Sequence, residues 1–296
     1  MPEISVVMTS YNHERYLSEA IESVLGQTYK DIELIIVDDA SIDKSKNIIL
    51  KYADKDERVR YVFHDKNFGI ARTTNDGFDE AKGNFIAYMQ SDDVWFLHKL
   101  ETQIQVLKQN PDLIVWSDAV IIDSNGNNTG QLMTERARAQ NKKKSGFIFT
   151  EYLTSGYIYV QSTIFKREYA RRIRFDTKLR YTNDYKFILE LSVGHEFFFI
   201  PEPLLKYRIH GDNTSFKNRD VWIRDSFRLQ KEILQKYKDR IPERLKAKFY
   251  YKIGRFLFNI GHRRFSRNYL FQAIKKDFIK IKYCKALMKS YYAKEL

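Results

Sequence analysis

Asn84-Phe85-Ile86-Ala87-Tyr88-Met89-Gln90-Ser91-Asp92-Asp93 is the stretch on which the reading of this 296-residue chain turns. Residues 85–89 are uninterruptedly apolar and aromatic, short and β-prone enough for a buried strand. Two carboxylates follow almost at once. Open α/β sheets bind ligands outside the carboxyl ends of their strands. Adjacent like charges there are costly unless a cation or a hydrogen-bonded ligand compensates. A Mg²⁺ or Mn²⁺ carrying a diphosphate is the simplest compensator.

Outward from this strand, apolar runs predict further strands near 3–9, 32–38, 59–63 and 113–120. Amphipathic stretches predict helices near 14–26, 43–55, 70–82 and 96–109. That alternation is the pattern of βαβ units and a mostly parallel sheet. Asp123-Ser124-Asn125-Gly126-Asn127 reads as a hairpin turn, and residues 136–145 as a polar, basic, mobile loop that serves either as a lid or as ordinary solvated surface. Structure resumes with a helix near 147–155, a strand near 160–166, a helix near 183–193 and a strand near 196–208. From about 219 the apolar period is helical throughout, which predicts three or four packed helices.

The charge follows the same division. Residues 217–296 hold 23 Lys and Arg against 7 Asp and Glu, a net of +16, whereas residues 1–216 carry −3. The expected organisation is a near-neutral domain over 1–215 and a basic helical region over 216–296. With 43% hydrophobic residues the chain can bury a sizeable core. A lone cysteine, Cys284, excludes an intramolecular disulfide framework and suits a reducing compartment. The first residues show no basic n-region or cleavage site, and no run reaches the roughly 18 apolar residues a spanning helix needs. The expected location is the cytoplasm, with any membrane work done at the inner surface.

Four segments in this order resemble the inverting family 2 glycosyltransferases of the GT-A fold. They are Ser5-Val6-Val7-Met8-Thr9-Ser10-Tyr11-Asn12, Ile35-Ile36-Val37-Asp38-Asp39-Ala40-Ser41, Ala81-Lys82-Gly83-Asn84-Phe85-Ile86 leading to Ser91-Asp92-Asp93, and Pro203-Leu204-Leu205-Lys206-Tyr207-Arg208-Ile209-His210. The resemblance spans about residues 3–215. It implies a Rossmann-like nucleotide-diphospho-sugar transferase domain, α/β with a mostly parallel sheet flanked by helices, to which the basic all-helical extension is attached.

By the same resemblance, Thr9 and Tyr11 cradle the nucleotide base, a hydroxyl to bond it and a ring to stack on it. Asp39 is the base-binding carboxylate. A carboxylate can accept the imide N–H of uracil, which favours a UDP-sugar donor, although thymine has the same edge. Asp38 either assists or braces its loop. The segment Asn67 to Gly77 departs from the family in carrying Thr74 where Arg is usual, and Arg72 is the candidate replacement cation. Gln90 stands where the commonest family form has Asp, leaving Ser91-Asp92-Asp93, with Asp93 assigned to the metal and Asp92 to the ribose. Asn183-Asp184 occupies the place of the family's acidic pair, and its second member, Asp184, is the expected general base. Strand alternation sets Arg208 and His210 on one face, Arg208 to clamp the diphosphate and His210 to bind the metal or the departing phosphate.

The basic tail mixes Lys and Arg with Tyr and Phe, a combination suited to anionic lipid headgroups. No nucleic-acid motif accompanies the charge, so no nucleic acid is expected. The expected activity is transfer of a sugar from a UDP-sugar to a hydroxyl of a glycan acceptor, lipid-linked, in capsule, O-antigen or related polysaccharide synthesis. A sugar-nucleotide pyrophosphorylase would need a glycine-rich basic loop after the first strand, and Thr9-Ser10-Tyr11-Asn12-His13 has no glycine. The competing reading is a catalytically degraded nucleotide-sugar-binding or scaffold protein recruited by its tail.

Overall fold

The computed structural model describes residues 1–154, 156–211 and 219–292. Two compact units divide the chain, Met1–Thr214 and Ser215–Leu296.

The first unit opens with β1 (Ile4–Ser10), α1 (Leu17–Leu25), β2 (Ile32–Asp38), α2 (Ser45–Ala53), β3 (Val59–Phe63), α3 (Ile70–Glu80) and β4 (Phe85–Gln90). Every residue of β1 and β2 is buried, which explains why both read as continuous apolar runs rather than alternating ones. Then follow β5 (Val94–Trp95), α4 (Lys99–Gln109), β6 (Ile114–Ile122), β7 (Asn128–Leu132), α5 (Met133–Arg136) and α6 (Phe149–Thr154). The unit closes with β8 (Ile164–Lys166), α7 (Arg167–Arg172), α8 (Asn183–Ser192) and β9 (Phe197–Arg208).

The strands form one sheet in the order β3-β2-β1-β4-β8-β6-β9-β5, with β7 on the flank of β6. β1 pairs in parallel with both β2 and β4, β2 with β3, and β6 with β9. The short β8 runs antiparallel between β4 and β6, so the sheet is mixed at its centre. Parallel register sets the site: Thr9 stands opposite both Val37 and Gln90. The chain therefore leaves β1, β2 and β4 at one level, bringing the loops that begin at Tyr11, Asp39 and Ser91 side by side.

Helix α3 lies directly on β1 and β2, and Gly77 is what permits it. A Cβ there would sit 2.4 Å from Val7 Cγ1 and 3.2 Å from Val37 Cγ2. Asp123–Asn127 does form the turn between β6 and β7, as its composition predicts. The basic segment after α5 is tied rather than loose. The Lys143 and Lys144 carbonyls accept Tyr157 Oη at 2.5 Å and Trp116 Nε1 at 2.8 Å, and Gly146 bridges to Phe197. Residues 160–162, expected at the start of a strand, form a 3-10 turn before β8.

The second unit contains α9 (Arg219–Lys236), α10 (Glu243–Asn259), α11 (Arg263–Lys276) and α12 (Ile281–Tyr292). α10 and α11 approach so closely at Gly254 that a Cβ would meet Leu270 Cγ at 2.7 Å, and Ser266 Oγ donates to the Gly254 carbonyl across the same contact. A small cluster of Ala247, Ala273 and the buried Tyr283 joins α10, α11 and α12. Among the described residues no helix is long and apolar enough to cross a membrane.

Candidate active site

The loops after β1 and β2 are stitched together. Asn12 Oδ1 accepts from Ile42 N at 2.9 Å, Asn12 N donates to Ser41 Oγ at 2.8 Å, and Glu14 N donates to Asp43 Oδ2 at 2.9 Å. Asn12 and Ala40 both take left-handed backbone, at φ 54° and 61°. For alanine that conformation costs energy that only the surrounding contacts can sustain. Asp38 is the brace here: its carboxylate accepts Ser41 N at 2.8 Å and Ser41 Oγ at 2.6 Å.

Asp39 is buried and faces the loop before α3. Its oxygens accept Phe68 N, Gly69 N and His64 Nδ1, each at 2.8 Å. Gly69, at φ 87°, turns the backbone so that its N–H can reach the carboxylate. An ionised carboxylate offers about four acceptor positions, so these donors leave room for about one more. Thr9 is buried with its hydroxyl 3.0 Å from Tyr88 Oη, whereas Tyr11 is exposed. Arg72 lies on the exposed side of α3 and pairs with Asp76 at 2.8 Å. Thr74 is fully buried and bonds the Ile70 carbonyl, so position 74 offers no room for a long cation.

The two carboxylates after β4 sit in different settings. Asp93, expected to hold the metal, is fully buried. Its Oδ1 accepts Arg208 N at 2.9 Å, and its Oδ2 accepts Gln161 Nε2 at 3.0 Å and Tyr159 Oη at 3.3 Å. Burial, and then the neighbouring Asp92 charge, push the Asp93 carboxyl well above the ordinary carboxylate range. Asp92 is the member that meets potential ligands. Its Oδ2 lies 3.0 Å from His210 Nε2, and its buried Oδ1 has no hydrogen-bond partner. His13, Asp92 and His210 each offer a ligand atom, all within 4.8 Å of one another. His13 Nδ1 is held by Ser91 Oγ at 2.8 Å, and the His13 and His210 rings meet edge to face at 5.8 Å.

Two imidazoles and one carboxylate suit a first-row divalent ion such as Mn²⁺ better than Mg²⁺, which prefers oxygen donors alone. The unpartnered buried oxygen of Asp92 is the atom such an ion would satisfy. His13 stands outside the sequence motifs. The signal lay in its place two residues past Tyr11, because β1 and β4 are neighbours in the sheet and end together.

Arg208, expected to clamp a diphosphate, is buried and its guanidinium is committed to protein. Nη2 pairs with Glu19 Oε2 at 2.6 Å, Nε donates to the Asp92 carbonyl at 2.8 Å, and the group lies 4.7 Å over the Tyr16 ring. The guanidinium thus holds the Asp92 carbonyl, while the Arg208 backbone N–H holds the Asp93 carboxylate.

Asp184 opens α8 and is solvent-exposed, with Oδ1 accepting Tyr185 N at 2.7 Å. The protein around it nonetheless raises its pKa, by desolvation. Its charge is felt by Tyr88, the partner of Thr9, and by Tyr152. Asn183, beside it, is buried and donates to the Leu179 carbonyl at 3.2 Å, a packing role in place of a second acid.

Comparison with known proteins agrees with this architecture. The family model described as Glycosyl transferase family 2 matches residues 5–174. An uncharacterised glycosyltransferase of Methanocaldococcus jannaschii is 33% identical over 240 residues, covering 80% of this chain and 77% of that protein. A second, from Rickettsia typhi, is 32% identical over 218 residues, covering 72% and 66%. Among solved structures, Staphylococcus aureus TarS 1–349 in complex with UDP superposes with a TM-score of 0.67 at 17% identity, over 99% of this chain and 92% of that one. The mannosyltransferase PcManGT of Pyrobaculum calidifontis in complex with GDP-Man and Mn²⁺ superposes with a TM-score of 0.61 at 15% identity, over 99% and 88%. These likenesses establish the GT-A fold, and the sequence matches establish the lineage: the chain belongs to glycosyl transferase family 2.

Proposed function

We propose that this glycosyltransferase is inverting and metal-dependent, and that it moves a sugar from a UDP-sugar to a hydroxyl of a glycan acceptor. The observation that carries the reading is the convergence of His13, Asp92 and His210 at the carboxyl ends of β1, β4 and β9, around an unpartnered carboxylate oxygen. These three would hold Mn²⁺ or Mg²⁺, with Mn²⁺ favoured by the imidazoles. Bound there, the ion would supply Lewis-acid neutralisation of the charge on the departing diphosphate.

The residues of the chain do the rest. Tyr11 stacks on the base and Asp39 accepts the imide N–H of uracil with its remaining lone pair. Asp184 takes the proton of the acceptor hydroxyl as that oxygen attacks the anomeric carbon, while the bond to the diphosphate breaks and its electron pair leaves with UDP. A carboxyl raised by desolvation is a stronger base than an ordinary one, which suits this step. The acceptor is a growing surface glycan, lipid-linked, and the basic second unit holds the enzyme at the anionic inner face of the membrane. The +16 charge of residues 217–296 supports that placement.

Isothermal titration of UDP, GDP and dTDP with Mn²⁺ or with EDTA tests the reading. UDP is expected to bind in a metal-dependent manner and to lose that dependence in Asp92→Ala. Absence of nucleotide binding with metal present would instead favour the degraded scaffold.

A further inference from the structure

We propose that the turn between α11 and α12 is a bilayer-insertion point, at which Phe278, Ile279 and Ile281 enter the interfacial layer of an anionic membrane. The inference extends the membrane placement proposed above and is independent of the transfer reaction. Phe278, Ile279 and Ile281 are 77%, 66% and 70% exposed, although they are large apolar side chains within four consecutive positions. Scattered exposed apolar residues are ordinary, but three together at one turn are not.

The turn cannot fold them away. Asp277 is buried and its N–H closes α11 on the Ala273 and Ile274 carbonyls. Tyr283, one turn into α12, is buried in the cluster with Ala247 and Ala273, and its N–H bonds the Lys280 carbonyl at 2.8 Å. Anchored on both sides, the three apolar side chains are presented outward before any partner arrives.

The charges around the tip choose the partner. From Phe278 to Tyr292 the chain has Lys280, Lys282, Lys285 and Lys289 and no acidic residue. All four lysines are exposed, and the spacing of Lys282, Lys285 and Lys289 puts them along one side of α12, with Met288 exposed beside them. A short apolar tip ringed by flexible cations, without acceptors for specific hydrogen bonds, matches a surface of anionic headgroups over hydrocarbon. A protein partner would call for a broader complementary face.

The test is flotation of the full chain with vesicles of phosphatidylcholine alone or with 30% phosphatidylglycerol (~30 mol%, an ordinary anionic fraction). It compares the wild type with Phe278→Ser/Ile279→Ser/Ile281→Ser, whose sites are exposed and whose melting temperature serves as the folding control. The expected result is binding to the anionic vesicles that falls about 10-fold or more in the triple variant. Phe278→Trp should also give fluorescence quenched by brominated acyl chains beyond the wild-type level. Equal binding of variant and wild type would show docking by charge alone and overturn insertion, while leaving the proposed membrane placement standing. Absence of vesicle binding together with wild-type self-association lost in the triple variant would assign the tip to a second copy of the chain and overturn the proposal. Asp92→Ala should float as the wild type does, so failure of the transferase reading would leave this result untouched.

Discussion

Asp92 Oδ2 stands 3.0 Å from His210 Nε2, joining the end of β4 to the residues just past β9 across 118 positions of sequence. The other carboxylate oxygen of Asp92 is buried without a partner. A buried acceptor left unsatisfied costs about 1–3 kcal/mol, which is why this oxygen supports the proposed metal site.

Asp92 and Asp93 should therefore separate cleanly by mutation. Asp92→Asn is expected to weaken Mn²⁺ binding by about 10-fold or more, since an amide is a poor ligand for a divalent cation. Asp93→Asn is expected to change Mn²⁺ affinity little, because the Asp93 oxygens already accept from Arg208 N, Gln161 and Tyr159. Mn²⁺ titration followed by electron paramagnetic resonance measures both, and the reverse ranking would return the metal to Asp93.

Asp184 should behave as a base and not as a binding group. Asp184→Asn is expected to lower kcat by about 10²–10⁴-fold with KM for the donor nearly unchanged. The carboxyl must be ionised to accept a proton, and desolvation raises its pKa above the usual 3.8. The rate should therefore fall as pH drops through that raised pKa, at a higher pH than an ordinary aspartate would give. A pH profile of kcat with a saturating UDP-sugar checks the direction, and an acid limb that persists in Asp184→Asn would rule out the assignment.

The parts of this site that sequence reveals are those built by neighbours in the chain. β1, β2 and β4 are buried on both faces and announce themselves as apolar runs, so the carboxylates at their ends are legible in the sequence. β5 has two residues and β8 has three, and each exists only because a distant strand supplies its hydrogen bonds. Alternation would set Arg208 and His210 on one face, but β9 ends at Arg208 and the period of two ends with it. Glu19, which fixes the Arg208 guanidinium, lies 189 positions away. The choice between Asp92 and Asp93 likewise depends on Tyr159, Gln161 and His13, none of which a local motif contains.

Arg208 should prove structural. Arg208→Met removes the contacts to Glu19 and to the Asp92 carbonyl from a buried setting. A loss of about 2–4 kcal/mol in unfolding free energy is expected, because the buried carbonyl is left without its donor. Glu19→Gln keeps an amide oxygen as acceptor for the buried guanidinium, so it should cost less, about 1 kcal/mol. Urea denaturation of the two variants gives the comparison. Equal losses would mean that the ion pair, and not the buried carbonyl contact, dominates.

Lys99 supplies a stability effect with a definite sign. It is fully buried on α4, with Nζ 2.6 Å from Gln103 Oε1 and 4.2 Å from the centre of the Trp95 ring, and burial pushes its pKa down to about 7. In the unfolded chain the same amine titrates near the ordinary lysine value, about 10.4. Between these two values the unfolded chain holds a proton that the folded chain lacks, so this group makes stability rise with pH across the window. Below about pH 7 both states are protonated and the cost of the buried charge is constant and full, at most about 5 kcal/mol. Lys99→Met abolishes that cost but leaves Gln103 Oε1 without its donor, a loss of about 1–2 kcal/mol. The variant should thus be more stable than the wild type at pH 7 by roughly 2–3 kcal/mol. The advantage should shrink through pH 9 and reverse by about pH 10.5, where only the lost hydrogen bond remains. Urea midpoints measured at these three pH values test the claim. A difference independent of pH would mean that the buried amine keeps an ordinary pKa in the folded protein.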